Sequence, residues 1–193
     1  MTRTLVVGIF VGGASRRMGG KPKGLLLTRG GERVIDRTVA LAREVSSRVV
    51  LVGRSDAYAL DLPCLPDRGR GTEADPEDAP GPLGGLCSLL EYAASGDAVA
   101  IACDMPFLTA DLLARLATYE PGRAAVAPKR GGRWEPLFAR FDAARALPVA
   151  EGRLARRALS MQGVLDELVA GELPLLPGES TLLSDWDCPE DMQ

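Results

Sequence analysis

Apolar residues fall along this chain in short unbroken runs separated by stretches of helical spacing. Residues 4–11 (TLVVGIFV), 48–53 (RVVLVG) and 97–103 (DAVAIAC) are nearly continuous in β-branched and small apolar side chains. Runs without polar alternation predict strands buried on both faces, as parallel sheets require. Val34, Ile35, Thr38, Val39, Leu41, Ala42 and Val45 share one helical face and predict a helix over 32–46. Further helices are predicted over 83–94, over 109–119 with Thr109 as N-cap, and over 153–170. Shorter strands are predicted at 25–27, 124–127 and 173–176. Another is expected at 134–141, antiparallel at an edge. Strands alternating with helices predict an α/β fold: a three-layer, doubly wound, mostly parallel sheet with helices on both faces. Right-handed crossovers then bring Gly12 and Asp104 to the carboxyl edge of the sheet, where open α/β sheets bind ligands.

The 193 residues suit a single domain spanning 1–193. Hydrophobic residues at 46% and charged residues at 25% are the proportions of a soluble globular protein. The chain has no histidine, which excludes Ser-His-Asp and Cys-His catalysis and the HExxH zinc site. With a formal net charge of −3 and no basic block, nucleic acid is not an expected partner. Cys64, Cys87, Cys103 and Cys188 form no CxxC pair, so a zinc ribbon or thioredoxin site is excluded. The apolar run at 5–11 is too short for a secretion signal or a membrane span. The expected location is the cytoplasm, with reduced thiols and no membrane partner.

The chemistry gathers where strands end. After the first strand, glycines alternate with Arg16, Arg17, Lys21 and Lys23. Glycine lets a main chain approach an anion, and the cations supply phosphate clamps. The loop matches neither a Walker A sequence nor GxGxxG, and read alone it is either a phosphate cradle or a solvated surface loop. Asp104 leaves the third buried strand, where a hard cation takes one or two carboxylates plus phosphate oxygens. The alternative is a simple helix-entry turn. Pro80-Gly81-Pro82-Leu83-Gly84-Gly85 enters a helix as a rigid turn. The 63–82 segment before it, rich in Pro, Gly and acid, reads as a loop. Asp185 and Asp187 gather charge near the C-terminus. Cys103 reads as core, and Trp134 and Trp186 as packing anchors.

Five of these segments occur in one order. Val11-Gly12-Gly13-Ala14-Ser15-Arg16-Arg17-Met18-Gly19-Gly20, followed by Lys23-Gly24-Leu25-Leu26, resembles the signature of the MobA-type nucleotidyltransferases. Pro80-Gly81-Pro82-Leu83-Gly84-Gly85 resembles their PGPLAG segment, and Cys103-Asp104-Met105-Pro106 their CDxP motif. Glu135-Pro136-Leu137-Phe138-Ala139 and Pro189-Glu190-Asp191 resemble their downstream markers. The best-known members are molybdenum cofactor guanylyltransferases, which move GMP from GTP onto the phosphate of molybdopterin and release pyrophosphate.

The resemblance implies roles for individual residues. Phe10, Val11 and Gly12 would contact base and ribose through their main chain, and Gly13 would open the phosphate loop. Arg17 and Lys23 match phosphate-binding positions. Asp67 matches a nucleotide contact, and Asp104 would bind Mg²⁺. The chain departs from the family at Phe10-Val11 (commonly Leu-Ala), at Pro22 (commonly Asp), at Val52 (asparagine in some members) and at Asp185 and Asp187 (commonly asparagines). These changes bear on the acceptor more than on the nucleotide.

The implied reaction is in-line attack of an acceptor phosphate oxygen on the α-phosphorus of GTP. An ionised phosphate needs no general base, which suits a chain without histidine. Arg130, Arg133 and Arg140 are candidate partners for the acceptor's charge, or else solvated surface residues. Other proteins of molybdenum cofactor biosynthesis are the expected partners. The alternatives are a same-fold cytidylyltransferase, a sugar-phosphate nucleotidyltransferase, and a non-catalytic nucleotide-binding partner in cofactor delivery.

Overall fold

The computed structural model describes residues 3–11, 22–28, 30–53, 57–68 and 80–184. Gly12, Gly13, Arg17, Asp185, Asp187 and the helical turn expected after Pro189 lie outside the described residues, as does 69–79 of the long loop. In chain order the elements are β1 (Leu5–Phe10), α1 (Val34–Val45), β2 (Arg48–Val52), β3 (Cys64–Leu65), α2 (Pro82–Ala93), β4 (Asp97–Ala102), α3 (Ala110–Thr118) and β5 (Ala125–Ala127). They continue with β6 (Lys129–Arg130), β7 (Arg133–Trp134), β8 (Phe138–Asp142), α4 (Ala143–Ala155), α5 (Met161–Glu167), β9 (Gly171–Glu172) and α6 (Glu179–Leu182).

The three unbroken apolar runs pair side by side. β1 lies between β2 and β4, parallel to both, with Phe10 level with Val52 and Ala102. The full sheet has the order β3-β2-β1-β4-β8-β5-β9. Within this sheet, among the described strands, only β8 runs against its neighbours, pairing antiparallel with β4 and β5; β6 and β7 form a separate antiparallel pair.

Alternate residues of β1 supply both cores. Val7 and Ile9 pack with Ile35 of α1 and Leu112 and Leu116 of α3. Val6 and Phe10 pack on the other face with Leu86 and Leu89 of α2, Ala146 of α4 and Val164 of α5. Each fully buried aliphatic side chain contributes roughly 1.5–3 kcal/mol. Helices thus cover both faces, as the alternation of elements predicts. Thr109 caps α3 as expected, accepting the Leu112 N–H at 3.4 Å.

Four expectations are corrected. The 134–141 strand is not at an edge: β8 starts at Phe138, and β5 and β9 lie outside it. Residues 25–27 form no strand. A single 3-10 turn occupies Lys23–Leu25, and Leu27 makes one isolated bridge to Arg33. The 153–170 helix is two helices. Arg157 turns at φ +55° after α4, and Ser160 then caps α5 by accepting the Gly163 N–H at 3.4 Å. α4 itself begins at Ala143, capped by Asp142, and carries Pro148 inside it, a residue that argues against helix when read from sequence. The last strand is β9, two residues before the expected 173–176.

Arg3 ties the start of the chain to this framework. Its Nη1 lies 2.6 Å from Asp142 Oδ2, and this bond, more than any other cause, holds the Asp142 carboxyl below its ordinary 3.8. A depressed folded value stabilises the fold above the unfolded carboxylate range and is lost as pH falls through that folded value. Burial pushes the nearby Asp97 upward, a contribution of opposite sign that costs stability at neutral pH and is relieved on acidification. Arg3→Met is therefore expected to lower stability at neutral pH, and the gap to wild type should close in strong acid. Urea unfolding across that range checks this. Among the described residues no helix is long and apolar enough to cross a membrane.

Candidate active site

The first and third buried strands leave the sheet together. The Cys103 N–H donates to the Phe10 carbonyl at 3.1 Å, and the Val11 N–H to the Val52 carbonyl at 2.9 Å. Asp104 is the next residue beyond that edge. Its main chain is anchored on both sides: Met105 and Leu108 are buried, and Arg37 of α1 donates from Nε to the Pro106 carbonyl and from Nη2 to the Leu108 carbonyl, both at 3.0 Å.

Lys23 arrives from the other side. Pro22 is extended, and the Lys23–Leu25 turn closes with Leu25 N–H on the Pro22 carbonyl. Gly24 is required here by close approach: a Cβ would stand 2.8 Å from Cε1 of Tyr58 and 3.2 Å from Cβ of Ile35. The turn delivers Lys23 Nζ to 3.1 Å from Asp104 Oδ2, with side-chain exposures of 22% and 18%. Such a charge-assisted bond, half-shielded from water, fixes both heads.

Tyr58 lies beneath the pair. Its hydroxyl is 4.0 Å from Cys103 Sγ and would lie 3.3 Å from a Cβ on Gly24. Burial drives the phenol well above its ordinary value and pushes the Cys103 thiol up to about 12. The thiol is neutral at physiological pH, consistent with a core residue. Burial likewise raises Cys87, to about 11, whereas Cys64 is exposed. Brief alkylation of the folded protein is expected to mark Cys64 and spare Cys87 and Cys103, as peptide mapping would show.

Asp67 follows β3 at the same edge. Gly85 sits where Val52, Asp67 and Phe10 converge; a Cβ there would stand 2.7, 2.9 and 3.1 Å from their nearest atoms. The 66–68 segment is pinned across the first turn of α2 by the Ser88 hydroxyl on the Pro66 carbonyl at 2.6 Å and by Arg68 N–H on the Gly84 carbonyl. Arg68 also pairs with Glu91 and Glu151. Gly81 enters α2 at φ +59°, ψ −151°, a conformation essentially reserved to glycine.

β5 ends at this edge too, and the β6–β7 hairpin extends beyond it. Trp134 is an anchor, as expected. Its main chain exchanges two bonds with the Gln162 side chain, at 3.0 and 2.6 Å, and its indole donates to Asp166 at 2.8 Å. Lys129 stands 4.2 Å over the indole ring and 3.1 Å from Glu172. Arg130 Nε bonds Glu135 at 2.6 Å, and Arg133 is exposed.

Arg140 departs from expectation. It is level with Val99 and Val126, buried among Asp97, Asp142 and the Glu120 carbonyl, which accepts from its Nη2 at 2.9 Å. Its Nε is buried with no partner, and burial pulls its pKa below the ordinary value. It faces the α3 side of the sheet, away from the carboxyl edge. Arg140→Met is expected to leave the chemistry of the carboxyl edge unchanged in steady-state kinetics.

Phe10, Val11, Lys23, Asp67 and Asp104 thus all reach one edge. Among the described residues no three Cys, Asp or Glu converge on a point. A hard cation sharing the Asp104 carboxylate with phosphate oxygens fits this edge.

Residues 7–168 match the family described as MobA-like NTP transferase domain. The chain belongs to that family. A molybdenum cofactor guanylyltransferase from Pseudomonas putida is 36% identical over 192 residues, covering 96% of this chain and 94% of the relative. Another from Pseudomonas entomophila is 32% identical over 188 residues, covering 94% and 93%. Among solved structures, molybdopterin-guanine dinucleotide biosynthesis protein A from Archaeoglobus fulgidus superposes with a TM-score of 0.74 at 22% identity, covering 96% of this chain and 94% of that one. The 2-C-methyl-D-erythritol 4-phosphate cytidylyltransferase from Thermus thermophilus follows at 0.66 and 18%, covering 100% and 96%. At those identities the two structures show the shared fold alone.

This MobA-like transferase is a nucleotidyltransferase. Two residues that shape its edge, Arg37 and Tyr58, left no mark in the sequence. Arg37 reads as a polar position on α1, and Tyr58 as a lone aromatic in a polar stretch.

Proposed function

We propose that this chain, acting as a single domain, is a Mg²⁺-dependent transferase that moves GMP from GTP to the phosphate of molybdopterin. An acceptor phosphate oxygen bonds to the α-phosphorus as its bond to the pyrophosphate oxygen breaks, and pyrophosphate leaves. The observation that carries this reading is the Lys23–Asp104 pair at the carboxyl edge of a parallel sheet. The names of the relatives, molybdenum cofactor guanylyltransferases at 32–36% identity over most of the chain, supply the nucleotide and the acceptor.

Asp104 would hold the metal, which when bound supplies positive charge at the transferred phosphate. Lys23 then turns from Asp104 to the phosphates, beside Arg17, and neutralises the departing pyrophosphate. Phe10, Val11, Gly12 and Gly13 orient base, ribose and phosphates, with Asp67 on the nucleotide. Asp185 and Asp187 belong to the acceptor side. The reaction takes place in the cytoplasm, among other proteins of molybdenum cofactor biosynthesis.

Thermal unfolding against GTP, CTP, ATP, UTP and dTTP, with and without Mg²⁺, tests the nucleotide. A ligand that binds only the folded state raises the midpoint. The expected result is a rise for GTP alone, larger with Mg²⁺, followed by pyrophosphate release once molybdopterin is added. A rise for CTP alone would replace guanylyl with cytidylyl transfer. GTP binding with no pyrophosphate released would leave a nucleotide-binding partner. Lys23→Met is expected to weaken Mg·GTP by about 10–100-fold in a binding titration, as loss of a charge-assisted bond implies.

A further inference from the structure

We propose that Tyr58 is a positioning residue for nucleotidyl transfer, its buried hydroxyl lodged between the main chain of Gly24 and the thiol of Cys103 and so setting the spacing of Lys23 and Asp104. The inference rests on the function proposed above and adds a residue to it.

Tyr58 is 2% exposed and among the largest fully buried side chains. A phenylalanine would fill the same volume without burying a hydroxyl, which is costly to bury unless it is bonded. Here the hydroxyl lies 4.0 Å from Cys103 Sγ, and the ring and its hydroxyl are packed so closely on Gly24 that a Cβ there would come within 2.8 Å of Cε1 and 3.3 Å of the hydroxyl oxygen. Gly24 follows Lys23 and Cys103 precedes Asp104, so the bridge runs directly beneath the ion pair.

The ring is delivered from a fixed point. Arg33, at the start of α1, donates to the Tyr58 carbonyl at 3.4 Å while its Nη2 bonds Asp36 at 2.7 Å. α1 also carries Arg37, the clamp on the loop after Asp104. The Lys23 turn is one three-residue turn, held on its far side by the Val34 N–H on the Leu26 carbonyl. Among the described residues, the Lys23–Asp104 bond and the Tyr58 bridge tie it toward β4. Once substrate draws Lys23 toward phosphate, that ion pair opens. The Tyr58 bridge touches neither head group and stays in place, keeping turn and strand end at a constant distance.

The test is Tyr58→Phe, read in two ways. Without nucleotide, acylation of Lys23 is followed by peptide mapping. Loss of the bridge should make Lys23 about 2–10-fold faster to label, the shift one ordinary hydrogen bond supports, with Asp104→Asn marking the fully released lysine. With nucleotide, turnover should fall about 10–100-fold at saturating Mg·GTP, as small misplacements of reacting groups do. The same substitution in a Lys23→Met background should cost nothing further in turnover at saturating Mg·GTP. A residue that merely fills the core would cost the same in both backgrounds.

Unchanged labelling and unchanged turnover in Tyr58→Phe would overturn the assignment while leaving guanylyl transfer standing. Faster labelling in a protein that binds no nucleotide would uphold the bridge and overturn the proposed function. Should Tyr58→Phe fail to fold, Cys103→Ala removes the other end of the bridge. Unchanged Lys23 labelling in that variant overturns the proposal as well.

Discussion

Asp104→Asn is expected to keep the fold and lose nucleotidyl transfer by on the order of 10²–10³-fold. The substitution preserves the size and shape of the side chain and removes its charge. The anchors of the loop are untouched: Arg37 still holds Pro106 and Leu108, and Met105 and Leu108 remain buried. The lost pairing with Lys23 is part-exposed, so its net contribution to stability is about 1 kcal/mol or less. The effect should therefore appear in kcat with the unfolding midpoint nearly unchanged. Mg²⁺ should also cease to strengthen GTP binding. Turnover near wild type would remove Asp104 from the metal role and with it the main support for the proposed reaction.

Gly8→Val is expected to cost a large share of the fold's stability, with partial relief from a second substitution. Gly8 is central in β1, between Val50 and Ala100. A Cβ there would stand 2.6 and 2.7 Å from the two methyls of Leu89 and 3.1 Å from Val52 Cγ2. The sheet cannot yield, because β1 is paired on both sides. Overpacking of this kind costs about 1–3 kcal/mol or more. Leu89→Ala alone, at a site with no exposure, should cost about 2–5 kcal/mol by leaving a cavity. Together the two should cost less than their sum, because the added methyls occupy space that Leu89 vacates. Chemical denaturation of the four proteins measures this. Strict additivity would mean that the α2–β1 contact relaxes freely, contrary to the packing described.

The elements legible in the sequence are those whose pattern and surroundings agree. β1, β2 and β4 are continuous apolar runs because helices cover both faces, and each lies within a residue or two of its expected bounds. Thr109 marks α3 because a side-chain cap is local chemistry. Contacts distant in sequence decide the rest. Leu25–Leu26 has the composition of a strand, but Gly24 must fit against Tyr58 and Ile35, and the chain tightens into a turn. The 153–170 pattern is apolar on one face throughout, yet the guanidinium of Arg153 lies over Gly163, with Arg153 Nη1 3.1 Å from Glu167, and holds two short helices folded on each other. Nothing in the local residues of β8 tells that β5 and β9 will lie beyond it.

The site divides in the same way. Lys23 and Asp104 stand out in the sequence because one is a cation in a Gly-rich loop and the other an acid where a buried apolar run ends. Their 3.1 Å contact is not legible, since it depends on Tyr58 beneath and Arg37 behind. Arg140 shows the converse. Its charge suggested a ligand, and its register on β8 buries it instead.

The reversed strand also sets an order of assembly on the ribosome. β5 is made before β8, yet β8 is what joins it to β4. Until Phe138–Asp142 has emerged, β4 presents a bare edge and β5 has no neighbour from the earlier half of the sheet. A nascent chain halted between the two strands would expose an unpaired, apolar sheet edge, the kind of surface that recruits chaperones or other copies of itself.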